Sequence, residues 1–116
     1  MRNFRELEVW KDARKLVKEV YLITKLIPKQ ETYGLIQQIQ RCVVSIPANI
    51  AEGCGKYSNK DFARFLQISL GSAYELESHI ILCQDLGYIN IKQAASIIYQ
   101  IQTLQRRIAS LIKYQR

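Results

Sequence analysis

Residues 58–87 read SNKDFARFLQISLGSAYELESHIILCQDLG. Within them Phe62, Leu66, Ser69, Ala73, Leu76, Ile80 and Cys83 recur at alternating steps of four and three. That spacing follows one face of a helix with 3.6 residues per turn, and no period-two alternation competes with it. Ser58 precedes Asp61 by three residues, which resembles a capping box and puts an acid where a helix N-terminus favours one. The helix is therefore predicted to start near Asn59. Gly87 suits the left-handed position beyond its end.

The same periodicity repeats on both sides. Upstream, Trp10, Ala13, Val17, Val20 and Ile27 form a stripe in which polar Thr24 fills one position, and Pro28 stops it. Ile36, Ile39, Val43, Ile46 and Ile50 form a second stripe. Downstream, Asn90 can cap a last helix carrying Ala94, Ile98, Ile101, Ile108 and Ile112, with Gln105 polar in the seam. An extra helical turn before Trp10 is also expected. Four helices of about 20–28 residues, each about 30–42 Å long, pack most simply as an antiparallel up-down-up-down four-helix bundle. The fold class is all-α, and residues 1–116 form one domain.

The turn before Ser58 needs its own reading. Pro47 lacks the N–H that would reach the carbonyl of Val43, so the second helix is predicted to kink there and resume, because Ile46 and Ile50 keep register. Gly53 and Gly55 are expected to supply positive φ on the way to Ser58. Gln38, Arg41, Ser45, Asn49 and Glu52 form a polar stripe at steps of three and four. Its expected role is a hydrogen-bonded seam, inside the bundle or between subunits, in which Arg41 pairs with Glu75 or Glu77. A ligand site at the kink is the sharper alternative.

Composition limits the function classes. Apolar residues make up 48% and charged residues 23% of the 116, the balance of an ordinary globular domain. MRNFRELEVW carries charges where an export signal needs an apolar core, and no apolar run approaches the roughly 18 residues of a membrane span. The three cysteines, Cys42, Cys54 and Cys83, show no CxxC spacing and are expected as buried, reduced thiols in the cytoplasm. No metal or cofactor is expected. The one histidine, His79, has Leu76 rather than Glu three residues before it, so a di-iron Glu-x-x-His pair is excluded, and it is expected as a satisfied or surface imidazole. Glu52, Glu75 and Glu77 are expected in structural pairs rather than on a divalent metal. Phosphate-cradling glycine motifs and a histidine beside Ser45 or Ser58 are missing, which leaves no catalytic residue to name.

The net charge of +7 is uneven. Residues 1–30 hold eight Lys/Arg against four Asp/Glu, whereas residues 87–116 hold five Lys/Arg and no acid. Lys11, Lys15, Lys18 and Lys25 share one face of the first helix with Arg14 at its edge, and Arg106, Arg107 and Lys113 decorate the last. Adjacent in a bundle, these faces would bind RNA or DNA through counterion release, without sequence selectivity. Tyr57, Tyr99 and Tyr114 could add rings. The competing reading is a solvated face in which Glu8, Asp12 and Glu19 pair with the cations. Tyr21, Leu22, Leu70, Ile81 and Ile97 fall beside the seams, a surplus that suits subunit contacts or a protein partner, with Gly71, Ser72 and Ala73 permitting close approach.

Several stretches also carry a family resemblance: FRELEVWKDA near the start, Pro28 to Leu35, QIQRCVVSIPANIAEG, SNKDFARFLQISLGSAYELES, and LGYI at 86–89. The chain resembles the four-helix bundle proteins encoded within intervening sequences of bacterial 23S ribosomal RNA genes. The resemblance implies a bundle protomer and a ring-like homopentamer. A similar fold serves as the basic accessory subunit of diversity-generating retroelements, which engages nucleic acid and a reverse transcriptase. For the ribosomal-RNA-associated members the resemblance implies no established activity.

Overall fold

A computed structural model describes residues 2–115. Four helices carry the fold: α1 (Glu8–Thr24), α2 (Gln37–Cys54), α3 (Asn59–Asp85) and α4 (Ile91–Tyr114). Among the described residues there are no strands. The body measures 44 × 24 × 19 Å. α1 and α2, at 17 and 18 residues, fall short of the expected lengths, while α3 and α4 reach 27 and 24. The segment between α1 and α2 explains the shortfall. It folds as a 3₁₀ turn at Lys29–Glu31 and a π turn at Thr32–Ile36, where the Glu31 carboxylate accepts from the Leu35 N–H and from the Tyr88 hydroxyl. The expected extra turn before Trp10 is a 3₁₀ turn at Phe4–Glu6, capped by Asn3.

The capping residues act where their chemistry puts them. Ser58 Oγ accepts from the Asp61 N–H and α3 begins at Asn59. Asn90 and Gln93 satisfy each other's backbone N–H groups in a full capping box. Gly87 takes φ 76°, and the Tyr88 N–H closes back onto the Cys83 carbonyl. Gly53 and Gly55 behave differently from expectation, since among the described residues only Gly87 has positive φ. Gly53 lies inside α2, and a Cβ there would sit 2.9 Å from Phe65 Cβ and 3.1 Å from Phe62 Cδ1. Its value is the absence of a side chain, which lets α2 and α3 approach. α2 remains helical past Pro47, with Ile46 and Ile50 both fully buried.

Each helix neighbours the next, and α4 returns to α1; the α2–α3 pairing is the most extensive and the α1–α4 pairing the sparsest. The α3 stripe from Phe62 to Cys83 is buried throughout, as its spacing predicts. The α1 and α4 stripes hold at Ala13, Val20, Thr24, Ile27, Ala94, Ile101, Gln105 and Ile108, and slip elsewhere. α1 buries Val9, Ala13, Leu16, Val20 and Thr24, leaving Trp10 and Val17 half-buried. α4 buries Ile97 and Leu104 and leaves Ile98 and Ile112 half-buried. Among the described residues three buried polar side chains sit in the seams, and each has a partner. Thr24 Oγ1 donates to the Tyr21 carbonyl and accepts from Gln40, Ser69 Oγ donates to the Ile46 carbonyl at 2.9 Å, and Gln105 donates to Glu77 at 2.8 Å. Among the described residues, no helix is long and apolar enough to cross a membrane.

Candidate nucleic-acid interface and the α2–α3 polar seam

The predicted basic residues all reach the surface. Lys11, Arg14, Lys15, Lys18 and Lys25 at α1 are exposed, as are Arg106, Arg107 and Lys113 on α4. The two faces are neighbours. Lys15 and Arg107 line one groove of about 310 Å³ between the helices together with the acids Asp12 and Glu19, the buried Leu16 and Leu104, and the exposed Tyr99. Part of this charge is tied up: Arg107 bridges to Asp12 across the seam, and Lys11 approaches Glu8 at 3.5 Å. Arg106 donates to Thr103, and the Arg14 guanidinium lies over the Trp10 ring at 5.5 Å. Among the described residues Lys15, Lys18, Lys25 and Lys113 have no acidic group within ion-pair distance. Tyr57, Tyr99 and Tyr114 are all exposed.

A second cationic group forms at the α2–α3 turn, where charge counting by segment showed nothing. Arg2 donates to the Lys56 carbonyl and to Asn59, and its guanidinium stacks on Phe62 at 4.1 Å. Lys56 and Arg64 flank the Phe65 ring at 5.0 and 5.3 Å. The available signal was the run of Lys56, Lys60 and Arg64 around the Phe62 and Phe65 rings; Arg2, distant in sequence, was not recoverable.

The polar stripe of α2 meets a polar stripe of α3 at the rim of their seam. Ser45 Oγ and Ser72 Oγ are 2.8 Å apart, and Asn49 Nδ2 donates to the Ser45 carbonyl and hydroxyl. Gln38, Arg41 and Glu52 are exposed, Ser45, Pro47 and Asn49 half-buried, and Gly53 buried. Arg41 does not take the expected carboxylate. It donates to Gln38 at 2.6 Å, while Glu75 contacts His79 and Glu77 accepts from Gln102 and Gln105. The spacing of Glu75 and His79 along α3 favours their own pairing over one across the seam.

All three cysteines are free and buried. Burial is the main cause that pushes the Cys42 thiol up to about 12, with the Glu75 charge adding to it and Arg41 opposing it. Burial likewise raises Cys83 to about 11, helped by Glu31, and raises Cys54 against the influence of Arg2. Without a metal ion beside them, such thiols stay protonated at neutral pH. His79 departs from the satisfied imidazole expected: Nε2 lies 3.2 Å from the Glu75 carboxylate, but Nδ1 is buried with no hydrogen-bond partner.

The bundle, its capped α3 and the α2 string through Pro47 converge with what comparison finds. The sequence profile of the 23S rRNA-intervening sequence protein family matches residues 5–110. The chain belongs to the 23S rRNA-intervening sequence protein family. A search of curated proteins found no match. Among solved structures, this family member is similar to a Bacteroides thetaiotaomicron protein of unknown function from the S23 ribosomal protein family. The two share 31% identity with a TM-score of 0.82, over 90% of this chain and 98% of the other. Neither the family description nor that structure's description names an enzymatic activity.

Proposed function

We propose that this protein is a non-catalytic, cytoplasmic, oligomeric bundle that binds RNA or DNA weakly through the basic faces of α1 and α4. The observation that carries this reading is the adjacency of the two faces. Exposed Lys15 of α1 and Arg107 of α4 border one groove beside Asp12 and Glu19, and over the two faces eight exposed cations outnumber Glu8, Asp12 and Glu19. Phosphates reward such a surface by releasing counterions, so affinity should fall steeply with salt and discriminate little between sequences. The ribosomal-RNA context of the family supports RNA as the first polyanion to try. Assembly into a homopentamer would multiply the surface around a ring.

The test is fluorescence anisotropy with a generic RNA and a duplex DNA at low salt, followed through a salt titration. The quadruple variant Lys11→Gln, Lys15→Gln, Arg106→Gln, Arg107→Gln should keep its helical circular dichroism and lose most binding. Its log–log salt slope should shrink by about 0.9 for each phosphate that the variant no longer neutralises. Retention unchanged from the parent chain would count against the interface.

A protein adaptor is the second reading, favoured by apolar residues that the protomer leaves at its surface. Leu22, Leu26 and Leu86 are each at least half exposed, and Ile81 and Leu82 stand out beside them in the exposure pattern. Light scattering separates self-association from its absence: a monomer mass at micromolar concentration would remove the oligomer from both readings.

A further inference from the structure

We propose that Cys42, Glu75 and His79 form a binding site for a borderline-soft divalent cation such as Zn²⁺, clamping α2 to α3. A thiol, a carboxylate and an imidazole from two helices bring their donor atoms within 4.8 Å of one another. Tetrahedral bonds of about 2.0–2.3 Å set neighbouring ligand atoms about 3.3–3.6 Å apart. The carboxylate and the imidazole already approach that separation at 3.2 Å, so only the sulfur must close by about 1 Å, within reach of a side-chain rotation.

The chemistry of the set narrows the ion. Sulfur and imidazole nitrogen favour Zn²⁺ and Co²⁺ over Mg²⁺ or Ca²⁺, which ask for oxygen alone. The ligating nitrogen is Nε2, which faces Glu75 at 3.2 Å, and the buried Nδ1 then carries the ring proton. The surroundings are rigid: Ser45 and Ser72 join the same two helices one turn away. Access is also present, since the Glu75 side chain is 46% exposed and leaves a fourth position to water. On binding, the cation replaces the Cys42 proton, which leaves to solvent, and the sulfur supplies the electron pair. The charge of the neighbouring Arg41 favours the thiolate and repels the cation, while Glu75 offsets that repulsion.

Co²⁺ is the probe, added to the reduced full chain and followed by absorption. One Co²⁺ per chain should produce a thiolate-to-cobalt charge-transfer band in the near ultraviolet together with tetrahedral bands in the visible. Zn²⁺ should displace it. Cys42→Ala should abolish the charge-transfer band, while Cys83→Ala, which removes a buried thiol elsewhere on α3, should keep it. His79→Gln, at a half-buried position that tolerates an amide, should weaken binding at least about tenfold. A missing charge-transfer band under excess Co²⁺, or one that survives in Cys42→Ala, overturns the site. The readout contains no nucleic acid, so its failure and that of the RNA-binding reading are independent.

Discussion

The α2–α3 seam and the α1–α4 seam use the same kinds of side chain to different ends. At the first, Gly53 removes a side chain so that Phe62 and Phe65 can seat against α2, and two serine contacts tie the helices. At the second, Leu16 and Leu104 meet beneath an open groove, and the bridge above it is an exposed ion pair between Asp12 and Arg107. Close packing makes the first seam sensitive to volume. Openness should make the second tolerant.

Core truncations test the contrast between the seams most strongly. Phe62→Ala should lower unfolding free energy by about 3–5 kcal/mol, and Leu104→Ala should fall near the lower end of the roughly 2–5 kcal/mol range, because the groove beside it lets the site relax. Equal losses by denaturant unfolding would break the contrast. Gly53→Ala should cost about 1–2 kcal/mol, since overpacking against Phe65 Cβ exceeds the helix-propensity gain of about 1 kcal/mol. A stabilised Gly53→Ala would show that α2 and α3 can separate freely.

The pH response sharpens the same comparison. Cys83 and Tyr88 both have raised pKa values in the folded chain, Cys83 chiefly through burial and Tyr88 chiefly through its hydrogen bond to Glu31. Their contribution is fully present below the unfolded values and is lost as pH rises through the folded ones. The denaturation midpoint should therefore fall from about pH 9 through about 11, and Cys83→Ala should flatten that fall. An unchanged slope would remove Cys83 as its source. Smaller still, Gly71→Ala should stabilise by about 1 kcal/mol, because nothing lies within 4 Å of the added Cβ. Destabilisation that grows with protein concentration would place a second copy against that surface. Asp12→Asn should change stability by less than about 1 kcal/mol, as exposed ion pairs do.

Individual residues show where sequence reasoning holds and where it stops. The α3 stripe is legible because it is narrow and its caps are unambiguous: Ser58 and Gly87 act as their chemistry requires. The α1 stripe reads one position off at Trp10 and Val17 because their neighbours Val9 and Leu16 are apolar too. A helix wedged between two neighbours buries a broad arc, and periodicity does not locate its centre. Ile97 reads as surplus surface for the same reason, yet it is 2% exposed. The basic residues are legible as exposed, since long cationic side chains are rarely buried. The Cys42–Glu75–His79 cluster is not, because Cys42 lies more than thirty residues from the other two.

Four amphipathic helices, the caps of α3 and α4, three interior polar positions and a surplus of cations at both ends were legible from the chain alone, because each depends on local periodicity or on one side chain's chemistry. Three-dimensional packing settles which residues at the edges of the α1 and α4 stripes turn inward, why a side chain at Gly53 is unfavourable, and which distant thiol, carboxylate and imidazole converge. These are properties of helix pairing, and a 3.6-residue repeat carries no information about the neighbour it will meet.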